Sequence, residues 1–318
     1  MSEATPWDLG LLTQRLREAR EHWRETRRQQ RDFAARELPS PEAVQQAVAQ
    51  LRAVLFPLRL GPPDLRRDNE DFFVGHTLGV ALHTLAAQAR LELAYRQRAN
   101  DPPAGRHDDA DAEALKRIGA FAQQLPSLRT LLDTDVEAAW RGDPAAQSVD
   151  EVLLCYPGVL ALIHHRLAHA LYTLGLPLIA RIVAEQAHTL TGIDIHPGAK
   201  IGGYCFIDHG TGVVIGETAE LGERVRLYQA VTLGAKRFDS GGDGVLAKGQ
   251  LRHPIVEDDV VMYAGATVLG RITIGKGSSI GGNVWLTRSV PAGSQVTQAR
   301  LEQREATGQP QQVAGAKP

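Results

Sequence analysis

Apolar residues recur along this chain at two different periods, and the change of period falls near residue 190. Upstream the spacing is helical. Leu9, Leu12, Leu16, Ala19 and Trp23 mark one face of an Arg/Glu/Gln-rich segment running from Leu9 to Glu37. Pro39-Ser40-Pro41 interrupts it, and Ser40 followed by Pro41 is a cap and first-turn pair for a helix over Glu42 to Phe56. Thr77 to Arg98 places Leu78, Leu82, Leu85, Ala89 and Leu93 on one face, and Asp101-Pro102-Pro103-Ala104-Gly105 predicts a loop. Helices over Ala112 to Leu125, Ser127 to Trp140, Ser148 to Tyr156 and Val159 to Gln186 complete a helical region.

From about Ile193 the period becomes six. Ile215, Leu221, Leu227 and Leu233 are followed by the same frame at Val256, Met262, Val268, Ile274, Ile280 and Leu286. Four residues after the aliphatic comes a small or β-branched residue, as at Ala219, Val225, Val231, Val260 and Ala266. Ile195 and Ile201 carry the frame upstream, and it slips by two residues between Ile207 and Ile215. Alternating sandwich strands would show period two, whereas polar residues here hold the intermediate slots, as in Ile274-Gly275-Lys276-Gly277-Ser278. A hexad repeat predicts a β-helix solenoid, in which each unit is one short strand plus a turn and three units make a triangular coil.

Glycine usage agrees with this division. Of 31 glycines, 9 lie in residues 1–190, 20 in 191–293 and 2 in the tail; glycine costs a helix interior about 1 kcal/mol, so only the first region suits helices. The expected organisation is therefore an α-helical domain over 1–190, with 1–130 an extension, a β-helix domain over 191–293, and a polar tail over 294–318, disordered from about Arg300. The class is α+β. Two breaks in the repeat are the places to expect function: the slip around Asp208-His209, and the polar, Gly-rich span from Gly234 to Ile255, which predicts a loop leaving the prism.

Composition narrows the function classes. Lys+Arg is 35 and Asp+Glu 37, a formal net charge of −2, which gives no basic footprint for nucleic acid or a membrane surface. The longest uncharged stretches, Val152 to His165 and Leu167 to Ala180, are shorter than the ~18–20 residues that span a bilayer. The N-terminus does not read as a secretory signal, and two cysteines, Cys155 and Cys205, suit a reducing cytosol rather than a disulfide framework. The expected location is cytoplasmic.

The candidate chemistry lies at the slip. Residues 207–218 read IDHGTGVVIGET and bring Asp208, His209 and Glu217 into one coil. Asp194 precedes His209 by 15 residues, slightly less than the ~18 of a full coil, which predicts that it stands near the imidazole on the adjacent coil. A carboxylate beside an imidazole fixes its tautomer and raises the basicity of the other nitrogen, as a general base requires. No cysteine or serine stands with a base as an acyl-enzyme nucleophile would.

The segment DIHPGAKIG from Asp194, IDHGTGVVIGET from Ile207, VTLG from Val231 and RHP from Arg252 together resemble the serine O-acetyltransferases, in the bacterial branch with a long N-terminal segment. The resemblance covers roughly Asp143 to Pro291. It implies a left-handed parallel β-helix behind a helical domain, and direct transfer of acetyl from acetyl-CoA to L-serine at the start of cysteine biosynthesis. By the resemblance, His209 is the catalytic base and Asp194 its orienting partner. Asp208 and Asp143 hold the serine amino group, Arg252 and His253 bind its carboxylate, and Glu217 is an acid near the site. A zwitterion needs this combination, and Arg supplies a bidentate fork. The resemblance also places the pantetheine arm between neighbouring β-helices of a trimer or dimer of trimers, against Gly234, Ala235, Ala264 and Gly265. The chain ends Ala316-Lys317-Pro318, without the isoleucine through which some relatives hold the partner sulfhydrylase, so no stable complex with it is expected.

Three other readings compete, and one is not an enzyme: a β-helix that serves only as an oligomerisation scaffold for the helical domain, which leaves the Asp-His and Arg-His pairs unexplained. A γ-type carbonic anhydrase on the same solenoid would bind zinc through three histidines, here His196, His209 and His253, and another hexapeptide acyltransferase would use a sugar amine or homoserine as acceptor. The zwitterion-matching acids and arginine favour an amino acid acceptor, and no metal is expected. His164, His165 and His169 on one helix read as packing residues.

Overall fold

Local capping sets several of the helix boundaries. The structure is a computed structural model that describes residues 7–26, 38–100, 108–236 and 249–298. Helix α1 spans Leu9–Thr26, and the remainder of the expected first helix lies outside the described residues, as do the loop at 101–105, the middle of the Gly234–Ile255 span and the tail from Arg300. Helix α2, Pro41–Leu55, begins as expected: the Ser40 hydroxyl accepts the Ala43 N–H at 3.2 Å and Pro41 occupies the first turn. A single turn, α3 (Pro57–Leu60), precedes α4 (Glu70–Asn100).

Two helix expectations are corrected. Residues 112–140 form one helix, α5 (Asp108–Gly142), which runs through Pro126. Ala110, Ala114, Ile118, Phe121, Leu125, Leu132, Val136 and Ala139 form a continuous buried stripe on both sides of the proline. That packing outweighs the hydrogen bond Pro126 cannot donate. After α6 (Val149–Cys155), the predicted long helix divides into α7 (Pro157–Thr173) and α8 (Pro177–Thr191). Gly175 takes a left-handed φ of 78°, and Arg96 and Arg117 donate to its carbonyl at 2.7 and 2.8 Å, capping the end of α7. The N-terminus of α8 is held by a carboxylate from α4: Glu92, fully buried, accepts the Leu178 and Ile179 N–H groups at 2.8 and 2.9 Å.

Beyond Gly192 the chain winds into a left-handed parallel β-helix of short strands. The first face stacks β1 (Asp194–Ile195), β4 (Val214–Ile215), β7 (Thr232–Gly234), β10 (Thr267–Leu269) and β13 (Trp285–Leu286). The second stacks β2 (Lys200–Ile201), β5 (Glu220–Leu221), β8 (Ile255–Val256) and β11 (Thr273–Ile274). The third stacks β3 (Phe206–Ile207), β6 (Arg226–Leu227), β9 (Val261–Met262), β12 (Ser279–Ile280) and β14 (Gln295–Val296). The register follows the hexads: Ile195, Ile215, Leu233, Val268 and Leu286 stack inward on the first face, with Ala199, Ala219, Val225, Val231 and Ala266 buried at the corners. Each buried aliphatic contributes roughly 1.5–3 kcal/mol.

The helical region and the prism share a tight junction. Gly158, in the first turn of α7, packs so closely on β3 that a Cβ there would stand 2.1 Å from the Ile207 carbonyl oxygen. Arg166 of α7 and Asp135 of α5 form a buried pair at 3.0 Å; Arg166 also donates to the carbonyls of Ile201 and Gly202, and Asp135 accepts the Cys205 N–H. Removing one partner of such a pair costs about 3–5 kcal/mol, because it strands the other charge. No helix among the described residues is long and apolar enough to cross a membrane.

The histidines of α7 are packing residues with a measurable consequence. Burial pushes His164 down to about 4 and His165 well below its ordinary value, and His169, whose Nδ1 meets the Pro197 carbonyl at 2.8 Å, is lowered for the same reason. Below about pH 6.5 the unfolded chain takes up protons that these folded rings refuse, so stability falls as pH drops from 6.5 toward 4, by up to about 1.4 kcal/mol per pH unit for each histidine. His196 and His253 act with the same sign, while the raised Asp135 carboxyl opposes them. Thermal unfolding between pH 7.5 and 5 should show the loss, and His164→Leu should flatten it; a melting temperature indifferent to pH over that range contradicts this account.

Candidate active site

The frame slip shapes the corner between the third and first faces. Asp194 stacks on Val214, but Val214 stacks on Thr232, so the first coil is longer than the next by two residues. The excess lies in the turn after β3. There His209 adopts a left-handed φ of 58°, followed by Gly210 at 83° and Gly212 at 78°. A non-glycine residue in that region costs of order 1 kcal/mol. The distortion turns the His209 side chain outward, where it is 71% exposed.

Its neighbours come from both parts of the molecule. Asp208, buried beside it, points Oδ1 at His209 Nε2 at 3.9 Å and accepts Arg226 Nη2 on Oδ2 at 2.7 Å. Arg226 also donates through Nη1 to the Gly142 carbonyl at 2.9 Å, at the end of α5. The next residue, Asp143, accepts the Tyr156 hydroxyl at 2.5 Å and the Ala145 N–H at 2.8 Å. The Tyr156 bond holds the Asp143 carboxyl below its ordinary range, and the same bond pushes the Tyr156 phenol up to about 12. Asp143, Asp208 and His209 therefore form one cluster, two acids beside an imidazole.

A second cluster lies at the corner between the first and second faces. Arg252 donates to Glu217 Oε2 at 2.6 Å, and Tyr172 of α7 donates to Oε1 at 3.2 Å. Burial works to raise the Glu217 carboxyl, but its bonds to Arg252 and Tyr172 and the nearby His196 leave it lowered. The Thr218 N–H donates to His253 Nδ1 at 3.1 Å, and the Thr218 hydroxyl lies 2.9 Å from the same atom while accepting the Arg252 and His253 N–H groups. Nδ1 is thus an acceptor, and the ring proton of neutral His253 sits on Nε2. Burial, reinforced by Arg252, pushes His253 down to about 4, so near neutral pH it is an uncharged donor.

The His253 ring lies against bare backbone. A Cβ at Gly216 would stand 2.0 Å from His253 Cδ2 and 2.1 Å from Nε2. Gly216→Ala must therefore displace the ring from Thr218. The expected result is a loss of kcat/KM for the acceptor of about 10-fold to 10²-fold with a cooperative unfolding transition retained. Steady-state kinetics at near-normal values contradict the placement.

The remaining candidates lie along the first face and its two edges. Asp194 begins β1 on the outward side of that face and makes no hydrogen bond to His209; the carboxylate nearer the imidazole is Asp208. Gly234 and Ala235 lie at the edge carrying Arg252 and His253, and Ala264 and Gly265 at the edge carrying His209. Gly265 has a packing reason of its own, a left-handed φ of 73° and a Cβ position 2.3 Å from Asn283 Oδ1. His196 shares a corner with His253, whereas His209 stands at the other edge, so one chain does not gather those three histidines.

Comparison with known proteins decides between the competing readings. The chain is 58% identical over 264 residues to a plasmid-encoded serine acetyltransferase of Synechococcus elongatus, covering 83% of each protein. It belongs to the serine acetyltransferase family. It is 52% identical over 162 residues to the Mycobacterium tuberculosis serine acetyltransferase, covering 51% of this chain and 67% of that protein. Among solved structures, serine acetyltransferase 1 of Entamoeba histolytica in complex with L-cysteine aligns with a TM-score of 0.68 at 37% identity, over 84% of this chain and 89% of that one. The soybean enzyme complexed with serine aligns at 0.50 and 29%, over 81% and 96%. No family model matches the chain. The protein is an acyltransferase that acetylates the hydroxyl of L-serine.

Tyr156, Thr218, Tyr172 and Arg226 were not singled out by the sequence. Two of them had a signal in it: Arg226 lies 18 residues after Asp208, on the adjacent coil, and Thr218 directly follows Glu217.

Proposed function

We propose that the chain draws the acetyl group from acetyl-CoA and assembles its serine site between neighbouring β-helices of a trimer, at the start of cysteine biosynthesis in the cytoplasm. The observation that carries this reading is the clustering of Asp143, Asp208 and His209 at one edge of the first face, with Glu217, Arg252 and His253 at the other. In a ring of prisms whose first faces turn toward the threefold axis, one edge of each prism meets the opposite edge of the next. The acids and base of one chain then face the arginine of a neighbour, and Gly234 and Ala235 face Ala264 and Gly265 across the same seam. Small side chains there let an extended pantetheine arm approach the backbone. Two apolar cores, one mainly of the helices and one mainly of the prism, support the division into a helical domain over 1–190 and a β-helix domain over 191–293, although Phe206 packs in the first and Ala161 and Leu162 of α7 pack in the second.

In this site Asp143 and Asp208 take the serine ammonium, and Arg252 of the partner subunit takes its carboxylate, with Glu217 holding the guanidinium and neutral His253 donating through Nε2. His209 removes the hydroxyl proton as the serine oxygen attacks the thioester carbonyl. The C–S bond breaks on collapse of the tetrahedral adduct, and the proton held by His209 goes to the departing thiolate, leaving O-acetylserine and CoA. Asp194 orients the imidazole when the ring turns toward the first face. Thiol release from acetyl-CoA with L-serine, L-homoserine and a sugar amine tests the assignment: L-serine should be strongly preferred, and equal rates with the sugar amine would refute it.

A further inference from the structure

Arg226 takes no part in the steps above, yet it joins the two acids on which they depend. Its Nη2 donates to Asp208 Oδ2 at 2.7 Å, and its Nη1 donates to the Gly142 carbonyl at 2.9 Å, one residue before Asp143. The guanidinium lies against two aromatic rings, 4.8 Å from the centroid of Phe206 on the preceding coil and 4.7 Å from that of Tyr228 two residues along its own coil, and Tyr228 stacks in turn on Tyr263 at 5.2 Å. Its Nε is buried without a hydrogen-bond partner among the described residues. A side chain that leaves one donor unsatisfied while two others are bonded is placed by those two bonds.

We propose that Arg226 is a positioning residue for acceptor binding: it fixes the Asp208 carboxylate by one oxygen, so that the other faces His209 and the incoming ammonium. This rests on the reading of Asp143, Asp208 and His209 as the ammonium and base site, and adds to it the element that sets their mutual geometry. Two effects of the guanidinium oppose each other. Its charge repels the substrate ammonium, while its bond preorganises a carboxylate that is 11% exposed and would otherwise rotate. Orientation dominates, because the ammonium must be met by Asp143 and Asp208 at once, and Asp143 is itself fixed by Tyr156 and Ala145.

The test is a double-mutant cycle of Arg226→Gln and Asp208→Asn in the full chain, with Arg226→Lys as the conservative variant and thermal unfolding as a check on folding. Arg226→Gln should raise the KM for L-serine by about 10-fold to 10²-fold, the usual range for a residue supporting a functional group. It should leave the KM for acetyl-CoA within about twofold. Arg226→Lys, which keeps the charge but cannot span Asp208 and Gly142, should fall between. In the Asp208→Asn background the same substitution should add less than about threefold, since coupled residues are non-additive. Fully additive effects, an unchanged or lowered KM for serine, or equal changes in both KM values and kcat would overturn the proposal. If Asp208→Asn itself is as active as the parent, the reading of the ammonium site fails instead, and the two failures are distinguishable.

Discussion

Replacing His209 with alanine is expected to lower kcat/KM by about 10²–10⁴-fold, the range for loss of a general base. The imidazole stands at an outward corner, 71% exposed in the single chain, with Asp208 3.9 Å from Nε2. The left-handed backbone there, at φ 58°, suits histidine and asparagine better than alanine, so His209→Asn serves as a second variant that keeps the turn. Folding should survive, and His209→Asn should be as inactive as alanine, since an amide accepts a hydrogen bond but takes no proton at neutral pH. Near-normal turnover by His209→Ala contradicts the assignment.

Replacing Arg252 with alanine is expected to raise the KM for L-serine by about 10-fold to 10²-fold or more, a charge-assisted hydrogen bond contributing roughly 1.5–3 kcal/mol. Two effects act in one direction. The guanidinium that matches the carboxylate is lost, and Glu217, now held from 2.6 Å by Arg252, becomes an uncompensated anion where the substrate carboxylate must sit. Adding Glu217→Gln to Arg252→Ala should therefore recover part of the affinity. Lysine should substitute poorly, because it cannot reach Glu217 and a carboxylate with one planar fork. The KM for acetyl-CoA should stay within about twofold. A serine KM unchanged by Arg252→Ala contradicts the placement.

The prism was legible in the chain because its physics is periodic. One aliphatic every sixth residue fixes the inward stack, and the stacking of Ile215 on Leu233 and Val268 on Leu286 follows from counting. Helix ends were less legible. Pro126 reads as a terminator but lies inside a stripe whose burial outweighs one missing bond, whereas Gly175 and Pro177 do end and restart a helix. The slip at Asp208-His209 pointed to the site, but counting coils could not show that its two extra residues would bring Asp208, rather than Asp194, nearest the imidazole. Arg226 and Thr218 escaped notice because each acts between adjacent coils, on residues 18 and 35 positions away.

The most direct test of the account is complementation between two inactive variants, co-expressed so that mixed trimers form. His209→Ala chains retain Arg252 and His253, and Arg252→Ala chains retain Asp143, Asp208 and His209. If each site joins the base of one chain to the arginine of the next, an equal mixture restores about a quarter of the sites to full composition. Activity near that fraction, from two chains that are each inactive alone, is the predicted result. A co-expressed mixture with no more activity than the two variants assembled separately would show that one chain carries the whole site, and would contradict it.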